Sequence, residues 1–312
     1  MTDIPLESRP VDSGRGRRSA ALRGAVTWLV ALSTLAVVLS GIALNPAMRW
    51  DVIGEYIFAP LILRGLWLTV VITAGSAAIG LAGGLLIASM RMSGNPLVRT
   101  IAVGYINLFR ATPLLVQILI WYNLGTFLPR LGIGIPFTDI GIYAPTNDLL
   151  SPMTACLIAI GLNQSAYMGE IIRGGLLSVQ HGQVEAAVAL GMTRARLFWR
   201  VVAPQAARAI IPPLGNDLIN LLKATSLVSV VGVGDLMTRA QGVYAATYQV
   251  IPLLLVASFW YLVLTALISL VQNALERKFA AGTQPDGPAA KPEAVAENAP
   301  QAALRLAPRE LA

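Results

Sequence analysis

The chain has 312 residues and a net charge of +7, yet only 12% of its residues are charged and 55% are apolar. Soluble domains carry about 25% charged residues, so this composition excludes an ordinary soluble globular protein. A single cysteine, Cys156, and a single histidine, His181, exclude a disulfide scaffold and a Cys-rich metal site.

From the N-terminus, a basic segment over residues 1–24 leads into the first charge-free run, the 25 residues from Gly24 to Met48. A second run of 26 residues extends from Gly65 to Met90. Each exceeds the roughly 20 apolar residues that cross a bilayer as helix. Spans are predicted at about 25–45, 62–90, 111–129 and 150–172, at about 212–233 where Asp217 and Lys223 interrupt, and between Arg239 and Glu276. None of the runs alternates, which argues against an outer-membrane barrel. The fold class is therefore all-α, a polytopic membrane helix bundle of about six spans. Because the first run is about twice the length of a signal-peptide core, it reads as an uncleaved anchor, so residues 25–60 form an added span and an external segment. The last segment, 280–312, holds five Pro and ten Ala from Ala281 onward and is expected to be disordered.

Basic residues set the orientation. With the N-terminus inside, 18 of the 23 fall in cytoplasmic segments, and the exceptions are Arg49, Arg64, Arg130, Lys223 and Arg239. The positive-inside rule then places both termini in the cytoplasm. This scatter also removes nucleic acid as a partner, because no single basic patch results. Membrane lipid is the surrounding partner instead.

The cytoplasmic stretch between Arg173 and Pro212 is too long for a simple connector. Gln183 to Leu190 favours helix, Gly191 ends it in a left-handed turn, and Thr193 caps a second helix. That helix sets Leu197, Phe198 and Val201 opposite Arg194, Arg196 and Arg200, and Pro204 is expected to stop it. The product is a helix–turn–helix elbow at about 178–210. Composition alone makes a membrane-surface helix pair without a partner an equal reading.

Within this elbow, Glu185-Ala186-Ala187, then three residues, Gly191, nine residues, and Val201-Val202-Ala203-Pro204 resembles the EAA loop of binding-protein-dependent ABC importer permeases. Val201 and Ala203 stand where the family has Ile and Leu. The segments Tyr105–Gln117, Ala166–Gly174 and Leu222–Val228 are similar to the polar amino acid subfamily, which imports His, Glu, Gln, Arg and opines. Ala224 replaces that subfamily's Asp in Lys-Asp-Thr-Ser-Leu. The resemblance covers 61–279 and implies an inner-membrane permease whose 25–45 helix is added to a five-span core.

Further implications follow from the resemblance: a separate ABC ATPase dimer docks at Glu185, Ala186, Ala187, Gly191 and Pro204, an extracytoplasmic binding protein delivers the amino acid, and a second permease subunit, a copy or a paralogue, completes the path. Gly- and Ala-rich stretches such as Gly75 to Gly84 are available for close helix packing. The chain holds no phosphate loop of the form G-x-x-x-x-G-K followed by Ser or Thr. No cofactor of its own is therefore implied, and ATP and Mg belong to the partner. Glu185 adds a charge at the helix start, favourable with the macrodipole.

Polar groups inside spans are costly and face a cavity or a partner. Asn163, Tyr167 and Glu170 fall at i, i+4 and i+7 on one span; Asn216, Asn220 and Lys223 do so on another, followed by Thr225 and Ser226. Glu170 and Lys223 have two readings each. They hold the ammonium and the carboxylate of a free amino acid, or Glu170 pairs locally with Arg173 and Lys223 snorkels. Two other classes stand beside the importer. An ion-coupled carrier calls for acids near midspan and repeated halves, neither of which the pattern offers; a non-transporting adaptor is compatible with the same spans.

Overall fold

The computed structural model describes residues 14–134 and 141–280. The start of the basic segment and the Pro- and Ala-rich tail lie outside the described residues.

Apolar length dictates the helices. Helix α1 (Gly14–Ala43) carries the window Val26–Ala43, none of it buried. At its end Trp50 donates its indole N–H to the Ala43 carbonyl at 2.8 Å, and Arg49, in a left-handed turn with φ 41°, pairs with Asp51 at 2.8 Å. Helix α2 (Trp50–Tyr56) then presents Val52 to a core of Ile62, Leu236, Ala240, Leu253 and Val256. Pro60 opens α3 (Pro60–Arg91), where a missing N–H is harmless.

The next span departs from the expected single helix over 111–129. Helix α4 (Pro96–Ala111) and helix α5 (Leu114–Tyr122) meet at 101°. Pro113 explains the break, because it lacks an N–H and forces Thr112 into extended conformation at φ −105° and ψ 141°. An antiparallel hairpin of β1 (Arg130–Gly134) and β2 (Gly141–Pro145) follows, with Ile133 opposite Ile142, an addition to the all-helical bundle that the hydropathy pattern does not announce.

Helix α6 (Pro152–Leu177) is the most enclosed of the four unbroken spans among the described residues, with 67% of its apolar window buried. After the elbow, which contains α7 (His181–Ala189) and α8 (Arg194–Leu197), come α9 (Ala203–Ala224), a 3-10 run to Val231, α10 (Leu236–Thr247), bent 47° from what precedes it, and α11 (Val250–Ala280). Among the described residues four helices are long and apolar enough to cross a membrane, and up to six spans result if each bent pair counts as one, a range that includes the expected six. Contacts divide the described residues into two compact units, one made of those up to Arg173 with Leu214–Ser269, the other of Gly174–Pro213 with those from Leu270 to Ala280.

In the first unit, glycines draw α3 and α6 together. A β-carbon on Gly80 would lie 2.7 Å from the Gln164 β-carbon, and one on Gly84 2.9 Å from that of Met168. Gly75 meets Leu157 and Gly83 meets Ser165 in the same way. The Gly75 to Gly84 stripe expected to be available for helix packing is thus spent inside this chain. Substituting Gly84→Leu overpacks the seam and should lower stability by roughly 1–3 kcal/mol, measured as thermal unfolding in detergent. At Gly104 a β-carbon meets nothing within 4 Å, so Gly104→Leu should stay near wild type, and equal loss in both variants would refute the seam.

Candidate functional site

A cavity of about 340 Å³ opens in the first unit between α5, α6 and α9. Leu114, Asn163, Gln164, Tyr167, Asp217, Asn220, Leu221 and Ala224 line it. On α9, positions 217, 220, 221 and 224 repeat at i, i+3, i+4 and i+7, so one helical face turns inward. The volume lies within the roughly 300–1,000 Å³ of small-molecule sites. Three of the expected path residues, Asn163, Tyr167 and Asn220, meet here.

Asp217 is the residue that sequence reasoning missed, entering only as an interruption of a span. Its Oδ2 atom is buried without a hydrogen-bond partner among the described residues. An acid midway along an apolar run was itself the signal, since such groups are expensive and functional by default. It also supplies the midspan acid whose absence was counted against a carrier.

The cavity wall depends on how the α4–α5 break is held. A helix end leaves carbonyls without intrahelical partners. Gln117 donates its amide to Phe109 O at 3.0 Å, Thr112 O at 3.1 Å and Thr112 Oγ1 at 2.7 Å. Asn163 reaches across from α6, donating to Phe109 O at 3.0 Å and to Gln117 Oε1 at 3.1 Å. Nearby, the Arg110 guanidinium stacks 5.1 Å from the centre of the Tyr167 ring. The side-chain nitrogen of Asn163 is thereby occupied by protein groups.

The remaining path residues are elsewhere. Glu170 pairs with Arg173 at 2.9 Å and with Arg91 of α3 at 3.3 Å. Lys223 is exposed and, with Ser226, lines a separate groove of about 520 Å³ against Met237, Leu254, Tyr261 and Thr265. The structure therefore does not bring Glu170 and Lys223 to one cavity. Thr225 is buried and donates its hydroxyl to Leu222 O at 2.6 Å, Ser226 donates to Lys223 O at 2.8 Å, and Asn216 is exposed.

The elbow lies in the second unit. Helix α7 starts at His181, earlier than expected, because Gln180 takes the extended cap conformation at ψ 130°. Glu185 consequently sits past the first turn, and the expected macrodipole benefit at the helix start does not apply. Gly191 has φ +72°, with its N–H donating to Val188 O at 2.9 Å and that of Met192 to Ala187 O at 3.1 Å. These two bonds make a Schellman stop. Ala187 is buried, Ala186 and Glu185 are exposed, and the Thr193 hydroxyl accepts from Arg196 N as expected of a cap.

Pro204 does not stop the second helix. A widened π turn over Phe198–Val202 precedes it, and α9 starts at Ala203 and continues through Pro212 and Pro213. The helix is continuous there, with Ala203 N donating to Phe198 O, and the widened turn accommodates a residue that has no N–H to donate. Within this unit Gly175 seats against Ile210, and Gln272 donates to Pro212 O at 3.3 Å.

Comparison with known proteins gives one family over most of the chain. Residues 80–281 match the model for binding-protein-dependent transport system inner membrane components. The arginine transport system permease protein ArgU of Corynebacterium glutamicum is 36% identical over 282 residues, covering 89% of this chain and 84% of its own length. The L-cystine transport system permease protein TcyB of Bacillus subtilis is 35% identical, with 77% of this chain and 95% of TcyB covered. A crystal structure of an amino acid ABC transporter with histidines has a chain that aligns with TM-score 0.59 at 37% identity, over 71% of this chain and 95% of its own.

Removing the bracket amide by Gln117→Leu should cost roughly 1–3 kcal/mol, the penalty for an unsatisfied buried acceptor. Because the two amides share a partner, Gln117→Leu and Asn163→Leu combined should destabilise by less than the sum of the single variants in detergent unfolding. Strict additivity would mean that they act separately.

Proposed function

The chain belongs to the family of inner-membrane components of binding-protein-dependent transport systems, and from that premise we propose that it is the permease subunit of an ATP-driven importer of polar amino acids. It is multi-pass in the inner membrane, with both termini cytoplasmic as the 18-to-5 basic asymmetry supports. An ABC ATPase dimer docks on the elbow and supplies the energy. An extracytoplasmic binding protein delivers the amino acid, and a second permease subunit completes the path.

The single observation that carries the substrate assignment is Asp217. An unpaired carboxylate on the wall of the cavity attracts a cation, and every free amino acid carries an ammonium. Asn220 and the Tyr167 hydroxyl add hydrogen-bonding groups on the same wall. Glu170 keeps the local reading, because Arg173 and Arg91 already satisfy it. The elbow supports coupling: a helix stopped by Gly191, with exposed Glu185 and Ala186 and buried Ala187, presents a short rigid lever.

Substituting Asp217→Asn keeps size and removes the charge. Uptake per assembled complex in proteoliposomes should fall roughly ten- to hundredfold, the worth of one charge-assisted contact, while the binding protein's own affinity stays fixed. Wild-type uptake would sink the Asp217 assignment and leave the family standing. On the elbow, Gly191→Val forces a β-branched residue into a left-handed turn. That variant should insert normally yet lose stimulation of ATP hydrolysis by loaded binding protein, whereas Gly191→Asn, whose side chain tolerates this conformation, should retain it. Full stimulation in Gly191→Val would remove the elbow from the mechanism.

A further inference from the structure

Near the start of α3, two glycines hold one arginine. A β-carbon on Gly65 would lie 2.8 Å from Cγ of Arg239, and one on Gly234 would lie 3.1 Å from Nη2 and 3.4 Å from Cζ of the same side chain. Gly234 has φ +93°, a conformation that excludes most other residues. The aliphatic stem of Arg239 therefore rests on bare α3 backbone, and its guanidinium rests on the bare turn before α10. The side chain is in close contact with backbone at both its stem and its head while the residue stays exposed.

No carboxylate among the described residues neutralises it. The acid one helical turn away, Asp235, is fully buried and turned to its own helix: it accepts from Met237 N at 3.1 Å, from Thr238 N at 3.2 Å and from the Thr238 hydroxyl. Arg64, the chain neighbour of Gly65, is also exposed and has no ion-pair partner among the described residues. Two uncompensated cations thus belong to neighbouring backbone at one end of the bundle. Long charged side chains ordinarily lose rotamer entropy when they bind. Here the glycine cradle restricts Arg239 in advance, which lowers that cost for a group that binds it.

We propose that Arg239, assisted by Arg64, is a preorganised receptor for a surface carboxylate of the docking extracytoplasmic binding protein. This rests on the importer reading and its orientation, which put the start of α3 outside; Gly65 is the sixth residue of that helix, about 7.5 Å along it at 1.5 Å per residue. Arg239 does not line the Asp217 cavity, so a protein carboxylate is favoured over that of the amino acid in transit. A planar guanidinium held in one orientation suits the bidentate geometry of a carboxylate.

The test uses the full complex, permease with its ATPase, in proteoliposomes, titrated with purified amino-acid-loaded binding protein of this transport system while ATP hydrolysis is followed. Arg239→Gln should raise the half-stimulating concentration about three- to tenfold at low salt. The gap should close as salt screens the contact, and Arg239→Lys, which keeps the charge without the fork, should fall between. Gly234→Ala, which disturbs the cradle but leaves the charge, should shift the titration in the same direction. Unchanged titrations in assembled Arg239→Gln complexes would overturn the proposal. So would a change confined to the half-saturating amino acid concentration at saturating binding protein, which would assign Arg239 to the substrate carboxylate. If wild-type complex itself fails to respond to binding protein, the importer reading falls and the proposal with it, an outcome distinct from a responsive wild type with indifferent variants.

Discussion

A buried backbone group must find its partner within the protein, and the break between α4 and α5 imposes this constraint where the helical ladder is interrupted. Pro113 ends one helix and starts another at 101°, freeing carbonyls of Phe109 and Thr112 from the helical ladder, and a buried carbonyl left unpaired is costly. Two side-chain amides, Gln117 and Asn163, answer that demand. Because Asn163 belongs to α6, satisfying the break also docks α4 and α5 on the central helix. The cavity lined by Leu114, Asn163 and Tyr167 follows from this docking. The polar groups that first look like substrate ligands are in part the fastening of an irregular span.

Close packing supplies the second support. Gly80 and Gly84 let α3 approach α6 until side chains of one touch backbone of the other. Without a hydrophobic driving force between helices in lipid, such contact is the main source of cohesion. Gln164 packs on Gly80 and also lines the cavity, so the seam and the site share a residue.

The sequence made most spans legible, because hydropathy reports length directly: the α3 and α6 boundaries differ from expectation by a few residues. The third span was misplaced because its apolar run crosses Pro113, and hydropathy is blind to direction. Pro204 misled because the widened turn over Phe198–Val202 lets the helix continue past it, which a residue-by-residue pattern does not announce. The α9 stripe was read about a quarter-turn from the true face. At about 100° per residue, Asn216, Asn220 and Lys223 centre near one direction, while positions 217, 220, 221 and 224 centre about 90° away. Asn220 lies on the border of both faces, which is why it alone survives from that stripe. Asp217 lies at the centre of the cavity face.

Two carboxylates within the spans can be told apart by what compensates them. Glu170 has two arginines, Arg91 and Arg173, within 3.3 Å, so adding a substrate ammonium there would displace bonds already made. Asp217 has no such partner on its buried oxygen among the described residues, so a cation arriving in the cavity would gain attraction without breaking an ion pair. A buried charge left alone is costly, and a fold tolerates that cost where binding later relieves it. The asymmetry also separates tasks along the chain. Arginines tie Glu170 into the structure near the end of α6, whereas Asp217, midway along the run from Ala203 to Val231, keeps a buried oxygen without a partner on the cavity wall.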